Sequence, residues 1–267
     1  MRDALYLYGR YISASVRGQM AYKASFIMLT LGHFVITGIE FITIIVLFAR
    51  FGTLEGWSIA EVSVFYGLVA ITFSLSDAAA RGFDLFADMI KAGDFDRLLV
   101  RPRATALQLA GQELTLRRIG RFTQGLVVFL WGASQLHLAW NAARIALTLA
   151  AILGGACLFY GIIVLQATLA FWTTETLEIV NSVTYGGVQT TQYPLAIYRQ
   201  EFQRFFTYVI PLACTCYFPI VAILGRPDPL GSPEWFRWVS PAVGVLFLVL
   251  SLQVWKVGVR HYTSTGS

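Results

Sequence analysis

Gly93-Asp94-Phe95-Asp96-Arg97-Leu98-Leu99-Val100-Arg101-Pro102 lies at the centre of a charged stretch, Arg81 to Arg121, that interrupts long apolar runs on both sides. The runs on either side ask to cross lipid, whereas this stretch carries charges of both signs, helix-compatible apolar residues and a proline stop. It reads as a cytoplasmic loop that docks a partner. Asp84, Asp88, Asp94 and Asp96 alternate with Arg81, Lys91, Arg97, Arg101 and Arg103, and Phe95, Leu98 and Leu99 offer an apolar knob. Pro102 disfavours helix at Arg101. The plainer reading is a solvated loop whose cations only fix topology.

Outward from the loop, the chain is 57% hydrophobic and only 13% charged over 267 residues, with a mean hydropathy of +0.64; soluble domains run near about a quarter charged. An all-α membrane protein follows, read as one integral domain over residues 1–267. A span needs about 20 mostly apolar residues, so six are expected, over 24–49, 58–80, 119–135, 142–172, 175–192 and 239–257. The loop occupies 81–118. The first apolar run lacks a cleavage pattern and is expected to stay in the mature protein. Residues 1–23 place Leu5, Tyr8, Ile12, Val16 and Met20 at spacings of three and four, the mark of an amphipathic helix lying in the membrane interface.

Lys and Arg set the orientation. With the amino terminus inside, fourteen fall on cytoplasmic segments against four outside, leaving Arg199 and Arg204 unassigned. Both termini are then expected in the cytoplasm, and the positive charge anchors the chain on anionic lipid. Residues 173–225 admit two paths. Either Phe205 to Leu224 crosses, or Thr176 to Gln192 crosses as a polar span and Pro194 to Leu224 dips into the outer leaflet, broken by Pro194, Pro211 and Pro219. Irregular backbone at that depth needs cover from protein or water.

Three features resemble the membrane subunits of type 2 ABC exporters (ABC-2), in the branch of small, six-span, stand-alone permeases. Gly93-Asp94-Phe95-Asp96 to Arg101-Pro102 is similar to that branch's loop motif. The amphipathic start is similar to its interfacial elbow. Tyr193-Pro194-Leu195 and Val209-Ile210-Pro211-Leu212 are similar to the proline signals bracketing its outer re-entrant segment. The resemblance implies a fifth span at 175–192 and a re-entrant region at 193–224. It also implies ATPase docking through Asp94, Phe95, Asp96, Arg97, Leu98, Leu99, Arg101 and Pro102, and an assembly of two permeases, identical or paralogous, with two ATPase subunits. No Gly-x-x-x-x-Gly-Lys-Ser/Thr loop occurs in the chain, so ATP and Mg belong on the partner ATPase and no cofactor is expected here.

Candidate path residues are His33, Glu40, Glu175, Glu178 and Asn181. Glu40 sits inside the first span, with His33 seven residues earlier on the same face and about 10 Å away along the axis. An ionisable group at such depth is costly and usually functional. It contacts a polar or cationic substrate or relays protons, or it is a neutral carboxyl joining helices. Glu175 and Glu178 suit a gate ring or simply a helix amino terminus. Ala146, Ala150 and Gly154 form a small-residue stripe for close helix approach. Cys157, Cys214 and Cys216 lie in apolar surroundings as packing residues, and neither a metal cluster nor a catalytic triad can be assembled. Nucleic-acid binding has no support. The alternative function is an intramembrane or lipid-modifying enzyme built on Glu40 and His33.

Overall fold

The computed structural model describes residues 2–173 and 177–263. Among them the chain is all helical, with no strand and one isolated bridge between Leu54 and Trp57. Helix α1 (Arg2–Met20) leads into α2 (Lys23–Phe51) and α3 (Ile59–Ala79). The charged loop folds into four short helices, α4 (Arg81–Asp84), α5 (Phe86–Lys91), α6 (Asp96–Leu99) and α7 (Thr105–Ala110), and a 3-10 turn at Leu116–Arg118. Then come α8 (Ile119–Gln135), α9 (Ala142–Leu169), α10 (Leu177–Thr191), α11 (Gln200–Arg204), α12 (Phe218–Leu224), α13 (Glu234–Val239) and α14 (Ala242–His261).

Among the described residues four helices, α2, α3, α9 and α14, are long and apolar enough to cross a membrane. A fifth crossing is available if the bent pair Gln200–Val209 and Ala213–Leu224 counts as one span; its halves meet at 89°. The expected third span is a helix with the anticipated bounds but has only 17 residues, and the expected fifth has 15. The first falls at the lower limit for hydrocarbon; the second is counted from Leu177, where the described residues resume. At α2, by contrast, 29 residues reach about 43 Å at 1.5 Å per residue.

Local chemistry explains the boundaries. Ser58 caps α3 in a reciprocal box with Glu61: the Glu61 N–H donates to Ser58 Oγ and the Ser58 N–H to Glu61 Oε2 at 2.8 Å. Asn141 caps α9 by accepting the Arg144 N–H at 2.8 Å. Gly225, left-handed at φ 68°, ends α12. At the 89° bend the helix relaxes into π-type turns, Phe205–Val209 and Ala213–Tyr217, on either side of Pro211, whose missing N–H cannot continue a ladder.

α3 is the central post, antiparallel to α8 and also packed on α9, which pairs with α14. Its apolar stretch is 83% buried, whereas that of α2 is 17% buried. α2 therefore buries Thr37, Phe41, Ile44 and Phe48 fully and leaves most of its other apolar side chains exposed. Small residues set the closest crossings, as expected where lipid removes the hydrophobic drive between helices. A Cβ on Gly244 would sit 2.0 Å from the Gly154 carbonyl oxygen, and one on Gly154 would sit 2.3 Å from that of Pro241. Of the expected stripe only Gly154 makes this approach; Ala146 and Ala150 are exposed, because α14 lies along the later part of α9, where Gly161 meets Phe247 and Ser251 and Gly258 meets Thr168.

Candidate functional site

The charged loop is a folded foot on the bundle. Phe83, Phe86, Phe95, Leu98 and Leu109 are buried with Trp255 in one apolar cluster at the ends of α9 and α14. Phe95 meets Phe86 at 5.1 Å and Tyr262 at 5.0 Å between ring centres, both edge to face, and Phe86 meets Trp255 at 4.8 Å. Trp255 Nε1 donates to Thr105 Oγ1 at 3.0 Å. Gln108 Nε2 donates to the carbonyls of Leu98 and Arg103, each at 3.1 Å, which fixes the segment between them.

This corrects one expectation. Phe95 is 0% exposed and Leu98 6%, so neither belongs to an outward apolar knob. Facing out instead are Leu99, Val100, Arg101, Pro102 and the Asp94–Arg97 ion pair at 3.2 Å. Asp96 is half-buried. The inward residues anchor the loop and the outward ones form its surface.

α1 is tied to the same foot. Ser15 Oγ accepts from the Leu114 N–H at 3.1 Å, Gln19 Oε1 accepts from the Leu116 N–H at 3.0 Å, and Gln19 Nε2 donates to the Leu114 carbonyl. Tyr11 packs over Gly111, where a Cβ would lie 2.6 Å from the ring. The polar side of α1 thus grips residues 111–116.

Above the foot, charges line the seam of α2, α3 and α8. Arg118 Nε lies 2.7 Å from Asp77 Oδ2, and these side chains are 17% and 3% exposed. One turn on, Arg121 reaches Glu40 Oε2 at 3.6 Å and places its guanidinium 5.1 Å from the centre of the Phe73 ring. Thr37 Oγ1 donates to the His33 carbonyl at 2.8 Å, and the Tyr66 hydroxyl donates to the Thr37 carbonyl at 2.8 Å. Glu40 therefore pairs with Arg121. His33 lies on the inward stripe of α2 with it, as the sevenfold spacing anticipates. The sequence reading overlooked Asp77, Arg118 and Arg121, having counted both arginines as topology markers.

Asp84, on the foot, lies 3.9 Å from Arg81. Burial first, and then nearby Asp77, push its carboxyl up to about 6 against the opposing pull of Arg81 and Arg118. The folded chain thus holds this proton more tightly than the unfolded chain, whose carboxyl titrates near 3.8. Its contribution to stability is present below 3.8 and is lost as pH rises through about 6. Asp84→Asn is expected to flatten that part of the melting-temperature profile of the detergent-solubilised chain, and at pH 7.5 to melt no lower than wild type. A variant that keeps the full decline between pH 4 and 6 would show that another group causes it.

At the opposite end Arg226 lies 4.3 Å above the Trp57 ring, pairs with Glu61 at 3.0 Å and donates to the Gly56 carbonyl at 3.2 Å. Nearby, Asp228 accepts from the Tyr217 hydroxyl at 2.8 Å and from the Leu230 and Ser232 N–H groups. Burial alone would raise its carboxyl, but hydrogen bonds from Ser232, Leu230 and Tyr217 together hold it below the ordinary value. The exit from α12 is thereby clamped to the α2–α3 turn.

Of the remaining expected site residues, Glu175 lies outside the described residues, as do the side chains of Glu178 and Asn181 on α10. Cys214 and Cys216 are buried, and Cys157 is half-buried; all three are free thiols.

Long apolar helices joined by glycine crossings, a polar seam among them and a folded charged foot at one end define a multi-pass helical membrane protein. Residues 34–266 match the family model described as ABC-2 family transporter protein. The chain belongs to that family and is a membrane permease component of an ABC transporter. No curated protein and no solved structure matches it.

Proposed function

We propose that the chain is the translocating subunit of an ATP-driven exporter in the plasma membrane. Two permeases, identical or paralogous, form the path, and separate ATPase subunits that bind ATP and Mg supply the energy. In this reading both termini and the foot are cytoplasmic, α8 and α10 complete six crossings, and the bent 200–224 segment is re-entrant from the outer side. Membrane lipid surrounds α2 and holds α1 in the interface.

The observation that carries the proposal is the attachment of the foot. Phe95 and Leu98 are buried against the end of α14, so closure of ATPase subunits on the outward face of α6 would move α9 and α14 as a rigid lever. Asp94, Arg97, Leu99, Arg101 and Pro102 form that contact, with Asp96 at its edge. The Arg121–Glu40 pair, with His33, is the candidate path element, joining α2 to α8 at a place where relative movement must break or re-form a charge contact.

The docking surface is tested by purifying tagged chain from its native membrane in mild detergent. Wild type is expected to bring down an ATPase with a phosphate-binding loop. The paired variant Arg97→Glu with Leu99→Ala should retain the wild-type melting temperature while losing the ATPase by about tenfold or more, the scale of an interface hot spot. Undiminished co-purification would remove the foot from the docking role. Absence of any ATPase from wild type, even after crosslinking, would end the exporter reading.

A further inference from the structure

Between α7, α9 and α14 lies a crevice of about 750 Å³, within the size range of small-molecule cavities, about 300–1,000 Å³. Its walls include Phe83, Tyr160, Leu252 and Trp255. Leu107, Ala110, Tyr160 and Leu248 also line a second apolar crevice of about 380 Å³, which continues towards Tyr8 of α1 and Cys157 of α9. The two make one apolar slot opening beside the foot. The charged residues of its lining are Lys256 and Arg260, one turn apart on α14, and no acid lines either part. Both cations are exposed. Lys256 donates to Gln253 at 3.2 Å.

We propose that this slot seats an anionic phospholipid, with acyl chains between α9 and α14 and the phosphate between Lys256 and Arg260. The argument is complementarity of two kinds in one place. A helix carboxyl terminus alone accounts for Arg260, but it does not call for an apolar slot beneath two cations unmatched by any lining acid. A free phosphate would satisfy the cations and leave the slot empty, and a neutral lipid would fill the slot and leave the cations unmatched. Exposed Val249, on the lipid-facing side of the lining, marks the side through which chains enter from the bilayer. The proposal needs the membrane placement of the chain and is independent of what drives transport.

The test equilibrates tagged full-length chain in non-ionic detergent with equimolar phosphatidylglycerol and phosphatidylcholine, then counts retained lipid by native mass spectrometry. Wild type is expected to hold one phosphatidylglycerol in preference. Each basic residue near an anionic lipid surface is worth about fivefold, so Lys256→Gln with Arg260→Gln should cut the preference by roughly twentyfold to thirtyfold. Both positions are exposed, and an unchanged melting temperature confirms the fold. Val249→Trp should lower retention of both lipids, whereas Lys91→Gln, a surface charge outside the slot, should change neither. Equal retention of the two lipids by wild type, the same loss of preference in Lys91→Gln, or displacement by inorganic phosphate would overturn the proposal. A second copy of the chain leaving only with Val249→Trp would overturn it as well, by assigning the slot to a protein contact.

Discussion

Asp77→Ala is expected to destabilise the protein by about 3–5 kcal/mol, the cost of leaving a buried partner charge uncompensated. Arg118 is 17% exposed and stands 2.7 Å from the Asp77 carboxylate, so it keeps its charge in a seam with little water to replace the lost oxygen. The detergent-solubilised variant should melt far below wild type or fail to accumulate. Asp77→Leu combined with Arg118→Met should recover most of the loss, because a buried ion pair replaced on both sides by apolar groups of similar size is often neutral or better. Asp94→Ala serves as the contrast: its pair with Arg97 is exposed, at 50% and 82% for the two side chains, and its removal should cost up to about 1 kcal/mol. If Asp77→Ala melts with wild type, the seam is wet and the pair carries no structural weight.

The legible and illegible parts of this molecule divide along the reach of local pattern. The helix over residues 119–135 has the bounds expected of the third span, because Arg117 and Arg118 precede it and a short polar turn follows it. The break before the last helix was missed by three residues, since Pro241 joins an apolar stretch that hydropathy alone treats as continuous. The seam was out of reach for a different reason. An acid at position 77 in an apolar run, followed by arginines at 117, 118 and 121, is visible in sequence, but their pairing depends on the antiparallel register of α3 and α8. That register is set at crossings such as Gly67 against Gly125, where a Cβ on Gly67 would lie 2.7 Å from the Gly125 carbonyl oxygen. Glu40 was recognised as unusual by depth, yet its partner could not be named until α8 was placed beside α2.

Phe95→Ala is expected to unfold the foot, and the docking face would be lost only as a consequence. The ring is wholly buried against Phe86, Phe171, Trp255 and Tyr262. Truncating a buried phenylalanine costs about 3–5 kcal/mol, the larger figures arising where neighbours cannot collapse into the cavity. Collapse is hindered here because Trp255 is held by Thr105 and residues 98–103 by Gln108. A loop phenylalanine among aspartates and arginines suggested an exposed anchor, since three of the four rings that bury it, Phe171, Trp255 and Tyr262, lie far away in sequence at the ends of α9 and α14. The two roles separate experimentally. Phe95→Ala should lower the melting temperature and render the 81–118 segment sensitive to limited proteolysis. Phe95→Leu, which keeps most of the apolar volume, should restore much of both. The Arg97→Glu and Leu99→Ala pair should leave melting and proteolysis unchanged while abolishing ATPase recovery. A stable, protease-resistant Phe95→Ala protein that fails to recover the ATPase would place the ring in the partner contact and reverse this assignment.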